Sequence, residues 1–279
     1  MAALKIANLF SVEGKNVMVT GGGRGIGRMI TEAFITNGAA NVIITSRKQE
    51  TLDAAAAELS ELGPGTVVPL AFDLSKADAC VALAKALEGR MDKLHVLINN
   101  AGTTWGEPMD TYPEKAWDRV FALNVKAPFE LTRACLPLLR AASTTTHPAA
   151  VINIGSVAGH MPQPVPTYAY DASKAAVHML TRKLAAELGG GEAPITVNAI
   201  APGFVPSSMS KQLTTYATAD AIASNIPMGR MGSPEDMGGA ALYFASRAGA
   251  WCTGTVLTVD GGSVGAAEIP FDMEAASHL

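Results

Sequence analysis

Tyr170 and Lys174, within Tyr170-Asp171-Ala172-Ser173-Lys174, stand four residues apart, which on a helix puts a phenol and an ammonium on one face, one turn apart. Alone, such a pair is an ordinary surface feature. Its company changes its meaning: Ser156 lies fourteen residues upstream, and Asn99-Asn100-Ala101-Gly102 closes an apolar run before it. The chemistry these types offer is reduction of a carbonyl, in which a hydride comes from a cofactor and a proton must reach the forming alkoxide. A free phenol, with a pKa of about 10, is poorly matched to cycling near neutrality. The Lys174 ammonium, aided by the positive charge of the oxidised cofactor, is expected to favour the phenolate and lower that pKa, while Ser156 holds the carbonyl oxygen.

The hydride source has its own signature. The run NVMVT passes straight into Thr20-Gly21-Gly22-Gly23-Arg24-Gly25-Ile26-Gly27, sharing Thr20, and then into an amphipathic stretch. Gly21, Gly23, Gly25 and Gly27 permit a tight turn and close backbone approach, and helix-start amides can then hold a pyrophosphate. The spacing is G-x-x-x-G-x-G, yet its place between strand and helix is that of a dinucleotide loop. About twenty residues on, an NAD-binding loop would carry an acid for the ribose 2′-hydroxyl. Here stand Ser46, Arg47 and Lys48, with Glu50 the first acid. Arg24 and Arg47 can clamp a 2′-phosphate that a carboxylate would repel, Lys48 sharing or taking over the role of Arg47, so NADP is the expected cofactor.

The elements that must position these groups follow from the pattern of apolar runs. NVMVT, NVIIT, TVVPLAFD, HVLINN, AVINIGS, ITVNAIAPG and TVLTVDGG are short runs apolar on both faces, as a parallel sheet covered on each side requires. Between them lie helical patterns at about 25–37, 49–62, 76–90, 114–142, 168–188 and 235–247. The alternation predicts one α/β unit over residues 1–279, a single-domain doubly wound parallel sheet of the Rossmann type. Segment 205–232 reads as an insertion, either a substrate lid or a helical connection, and 265–279 as a C-terminal tail that crosses an interface or frays.

At 279 residues, about three quarters of the unfolded surface can be buried, so no metal or disulfide is needed to hold a core. A net charge of −4 without a basic stripe argues against nucleic acid. Lys5 interrupts the N-terminal apolar run, and no stretch has the length of a membrane span, so a cytoplasmic protein is expected. Cys80, Cys135 and Cys252 lie far apart among Ala, Val and Leu and read as reduced thiols, not as disulfide or metal ligands.

TGGGRGIG, NNAG, Asn124 in LNVKAPF, Ser156, YDASK and Ala201-Pro202-Gly203, in this order and spacing, resemble the short-chain dehydrogenase/reductase family over about residues 12–264. The resemblance implies a homotetramer or homodimer that moves hydride between a nicotinamide and a carbonyl or alcohol carbon. It implies Asn124, Ser156, Tyr170 and Lys174 as the catalytic four, Asn124 positioning a water and Lys174 also holding the nicotinamide ribose. Gly21, Arg24, Ile26, Asp73 and Leu74 would line the cofactor, joined by Asn100, Ala101, Gly102, Pro202, Gly203 and Val205. Two positions depart from the family pattern: Ser207 stands where a carboxamide-binding Thr is usual, and Gly155-Ser156 replaces a Ser-Ser pair, both keeping the needed hydroxyl.

For the substrate, the expected walls are Thr103-Thr104-Trp105, His160 to Gln163, Val165, Tyr168 and the 205–230 segment. They are mainly apolar or neutral and show no Arg pair, which favours a neutral or thioester-linked ketone. AGTTWGEP, VINIGSVAG, YAYDASKAAVHML and IPMGRMGSPEDM are similar to 3-oxoacyl-acyl-carrier-protein reductases of the rhamnolipid-pathway kind. The alternatives are an NAD(P)-dependent alcohol, sugar or polyol dehydrogenase and, more remotely, a non-catalytic NADP-binding sensor.

Overall fold

The structure, a computed structural model, describes residues 4–76, 78–207 and 218–265. The 265–279 tail beyond its first residue, and 208–217 of the 205–232 segment, lie outside the described residues. A single turn, α1 (Ile6–Leu9), precedes β1 (Asn16–Thr20), α2 (Gly25–Thr36), β2 (Asn41–Ser46) and α3 (Gln49–Ser60). Then come β3 (Thr66–Ala71), α4 (Ala79–Glu88), β4 (Val96–Asn99), α5 (Glu114–Phe121), α6 (Ala127–Ala134) and α7 (Leu136–Ala142). The chain continues through β5 (Ala149–Ile154), α8 (Tyr168–Leu188), β6 (Ile195–Pro202), α9 (Ala219–Ser224), α10 (Pro234–Ala245) and β7 (Val256–Val259).

All strand pairings are parallel, in the order β3-β2-β1-β4-β5-β6-β7. The strands read as unbroken apolar runs because alternate side chains enter two different cores. Val17 and Val19 of β1, Val42 and Ile44 of β2, and Val96 and Ile98 of β4 pack with Phe34, Leu59 and Phe244 from α2, α3 and α10. Met18, Ile43 and Leu97, one residue out of phase, pack with Leu83, Leu131, Leu139 and Leu184 from α4, α6, α7 and α8. Each fully buried Val, Leu or Ile contributes roughly 1.5–3 kcal/mol, so a polar residue is costly at any of these positions on either face.

The helix expected over 114–142 is divided. Pro128 has no N–H to give the Asn124 carbonyl four residues back, and at this place the helix widens into a π turn over Ala122–Lys126. Pro137, in the first turn of α7, likewise sets α7 off from α6, which ends at Ala134. The 205–232 segment contributes only α9 among its described residues. Because β1 lies between β2 and β4, the connections after β1 and after β4 leave the sheet on opposite sides, opening a crevice above their carboxyl ends.

Candidate active site

That crevice has a volume of about 650 Å³. Its first wall is the glycine loop, where Gly21 and Gly25 adopt φ of 69° and 53°, conformations that a side chain would strain. A Cβ on Gly27 would fall 2.3 Å from the Gly21 carbonyl oxygen, so α2 can approach the end of β1 only with glycine here. The loop is tied on both sides: Gly21 N–H donates to Thr45 O at 2.7 Å, and Asn100 Nδ2 donates to Thr20 O at 2.8 Å. Thr20 Oγ1 in turn accepts from the amides of Asn100 and Ala101 at 2.9 and 2.8 Å, locking the ends of β1 and β4 together.

The residues present fit a dinucleotide. α2 starts without a side-chain cap and without an acid in its first turn, so its leading amides remain for an anion. Gly21, Arg24, Gly25 and Ile26 line the crevice beside Ser46 and Arg47. Among the described residues, no carboxylate stands within ion-pair distance of Arg24 or Arg47, whereas nearby Arg28 is engaged by Glu58 at 2.7 Å. Asp73 and Leu74 line the next stretch, the Asp73 carboxyl held below its ordinary pKa by Ser75 and, less strongly, by the charges of Arg47 and Lys76. Asn100, Ala101, Gly102, Pro202, Gly203, Val205 and Ser207 complete the far side. Gly23, Gly27 and Lys48 stand outside the lining: the two glycines underlie the turn, and Lys48 sits at the start of α3.

Ser156, Tyr170 and Lys174 meet on the floor. α8 begins at Tyr168, so Tyr170 and Lys174 fall on successive turns, with the Lys174 Nζ 5.4 Å from the phenol ring centre. Lys174 is only 6% exposed; its Nζ donates to Ile154 O at 2.8 Å, and burial lowers its pKa to about 8. The protein groups alone shift the phenol upward, opposite to the lowering expected with the oxidised cofactor in place. Burial raises the Tyr170 pKa and the charge of Asp171 adds to the rise, while a hydrogen bond with Ser156 pulls the other way. The neutral phenol is thereby favoured, which is the state a proton donor needs.

Asn124 is buried in the π turn and does not line the crevice. Its Oδ1 accepts from Thr103 N–H at 2.9 Å, and its Nδ2 donates to Thr103 O at 2.9 Å and to Ser173 Oγ at 3.0 Å. The side chain thus fixes the loop after β4 to α8. Beneath it Asn99 donates to Asn153 at 2.9 Å, and Asn153 donates to Thr181 at 2.9 Å, a buried polar ladder from β4 to α8 whose Asn153 and Thr181 have no local sequence signal.

On the substrate side Thr103, Thr104, Gln163 and Val165 line the crevice, but Trp105, His160, Met161 and Tyr168 do not. Trp105 and Tyr168 instead belong to an aromatic support around Tyr112, and His160 stacks on His178 with ring centres 4.6 Å apart. Arg119, Leu123 and Thr167 line it unforeseen. Arg119 breaks the neutral lining expected from the sequence, where no local signal separates it from an ordinary solvated helix cation.

Among known proteins, the family described as short chain dehydrogenase matches residues 15–217. The rhamnolipid-biosynthesis 3-oxoacyl-[acyl-carrier-protein] reductase of Pseudomonas aeruginosa is 44% identical over 91% of this chain and 97% of its own length. A galactitol 2-dehydrogenase (L-tagatose-forming) of Cereibacter sphaeroides is 35% identical over 91% of this chain and 96% of its own. The solved NADP active-site complex of P. aeruginosa RhlG superposes with a TM-score of 0.86 at 42% identity, covering 92% of this chain and 98% of that one.

Proposed function

The chain belongs to the short chain dehydrogenase family, and from that premise we propose that it is an NADPH-dependent reductase turning a ketone into a secondary alcohol, with 3-oxoacyl thioesters as its substrate class. The observation that carries this reading is the convergence of Ser156, Tyr170 and Lys174 on the floor of the crevice whose wall is the glycine loop. The bound cofactor supplies the hydride. Ser156 holds the substrate oxygen, and Tyr170 delivers the proton from its hydroxyl to that oxygen. Lys174 compensates the phenolate that remains and holds the nicotinamide ribose; Asn124 acts as a positioning residue, fixing the Thr103 backbone and Ser173. Arg24 and Arg47 select the 2′-phosphate.

The same floor works in reverse on a secondary alcohol. The galactitol dehydrogenase relative favours that second reading, which cofactor preference separates from the first. The reading extends to a cytoplasmic homodimer or homotetramer. Three free cysteines fit a reducing compartment. Trp117, Phe129 and Met179 expose apolar surface on α5, α6 and α8, and Met179 is 61% exposed.

The test follows NADPH and NADH oxidation against a ketone panel that includes acetoacetyl-CoA, with Tyr170→Phe in parallel. Turnover with NADPH is expected, and the variant should lose roughly 10²–10⁴-fold in kcat while binding NADPH within a few fold. Undiminished turnover by Tyr170→Phe excludes the phenol as proton donor, and a preference for NADH moves the oxidative reading forward.

A further inference from the structure

Lys115 and Arg119 occupy successive turns on one face of α5. Their charged groups lie 5.6 and 5.7 Å from the centre of the Trp105 ring, and Arg119 also lines the crevice next to Thr103 and Thr104. The indole is a braced platform: its Nε1–H donates to Glu107 at 3.0 Å, and Tyr112 OH donates to its main-chain carbonyl at 3.2 Å while packing against Trp117 and Tyr168. Among the described residues no carboxylate is within ion-pair distance of either cation. Glu114 and Asp118 share the neighbouring strip of α5, and Glu107 is committed to the indole edge. The result is a pair of cations held over an aromatic face at the mouth of the crevice.

Arg24 stands in the glycine loop and Arg47 just past the end of β2, whereas Arg119 stands on α5 against Trp105 and lines the crevice with Thr103 and Thr104. Exposure sets the kind of anion. Lys115 and Arg119 are exposed, whereas Lys174 is buried and Ser156 and Tyr170 are half-buried, so an anion met at the mouth sits at the far end of a long substrate. A short keto acid carries its carboxylate within a few bonds of the carbonyl and does not match. We propose that Arg119, backed by Lys115, docks the phosphate of a phosphopantetheine arm and so selects carrier-borne 3-oxoacyl thioesters. This rests on the thioester reading of the site and names the residue that tells a carrier-borne ester from a neutral one.

Acetoacetyl-phosphopantetheine and acetoacetyl-pantetheine, which differ only in the phosphate, make the test. The wild-type protein is expected to prefer the phosphorylated ester by roughly three- to tenfold in kcat/KM, through KM, the preference shrinking as salt rises. Arg119→Gln should abolish that preference and Arg119→Lys should keep most of it, a pattern that general damage to the fold would not produce. A preference unchanged in Arg119→Gln, or equal rates on the two esters in the wild type, overturns the proposal and leaves the thioester reading standing. Failure of the wild type on both esters, with turnover of a keto acid such as 5-ketogluconate, overturns both.

Discussion

Lys174 carries its charge where charge is expensive. Burial brings its pKa to about 8, and the Ile154 carbonyl accepts its hydrogen bond, so the ammonium predominates at pH 7 and is mostly lost by pH 9. Reduction needs that ammonium beside the emerging phenolate. The kcat/KM for NADPH, which reports the cofactor-free protein, is therefore expected to fall about tenfold per unit above pH 8. Lys174→Arg, whose charge persists, should move that limb upward; a flat profile through pH 10 in the wild type would refute the assignment. At the other end of the crevice, Arg24→Gln with Arg47→Gln is expected to weaken NADPH by roughly 10- to 100-fold and NADH hardly at all, read by cofactor titration. Both positions were legible in the sequence because each is announced by neighbours a few residues away. The pKa of Tyr170 was not: desolvation depends on which distant groups close over the phenol, and it outweighs the hydrogen bond with Ser156.

Among the elements, β5 and α8 meet through a contact that admits nothing larger than glycine. A Cβ on Gly155 would lie 2.3 Å from His178 Nε2, and one on Gly159 would lie 2.5 Å from His178 Cε1. The ring is confined by His160 stacked on it, and burial brings its pKa down to about 4, so it is neutral at physiological pH. Gly155→Ala is expected to cost about 1–3 kcal/mol in urea unfolding and to lower kcat by displacing Ser156, with His178→Ala in the same chain recovering most of the stability. Additive losses in the double variant would show that the ring is not the obstacle. The motif reading took Gly155 as a departure with the catalytic hydroxyl kept; α8 supplies the physical reason, a histidine four residues beyond Lys174. The π turn has a similar origin in Pro128, visible in the sequence, although the sequence pattern favoured an unbroken helix because periodicity over 114–142 is scarcely disturbed by one extra residue per turn.

For the whole molecule, the crevice exists because strand order reverses at β1, bringing residues from 21 to 207 around one volume. Apolar surface on α5, α6 and α8 predicts assembly: light scattering should return a dimer or tetramer mass, and Phe129→Asp with Met179→Lys should shift it toward monomer. A monomeric wild type would remove that expectation without touching the chemistry. Sequence by itself determined the seven strands, most helices, the glycine turn and the Tyr170–Lys174 face, since these depend on period and on neighbours within a turn or two. Tertiary structure alone decided that Arg119 reaches the crevice while Trp105, His160 and Tyr168 stay behind it, that Asn124 serves by clamping Thr103, and that the Tyr170 phenol is pushed toward its neutral form. Those outcomes turn on the rotation of α5 and α8 about their axes and on which carbonyls and water-free walls they meet, quantities set by packing between segments far apart in the chain.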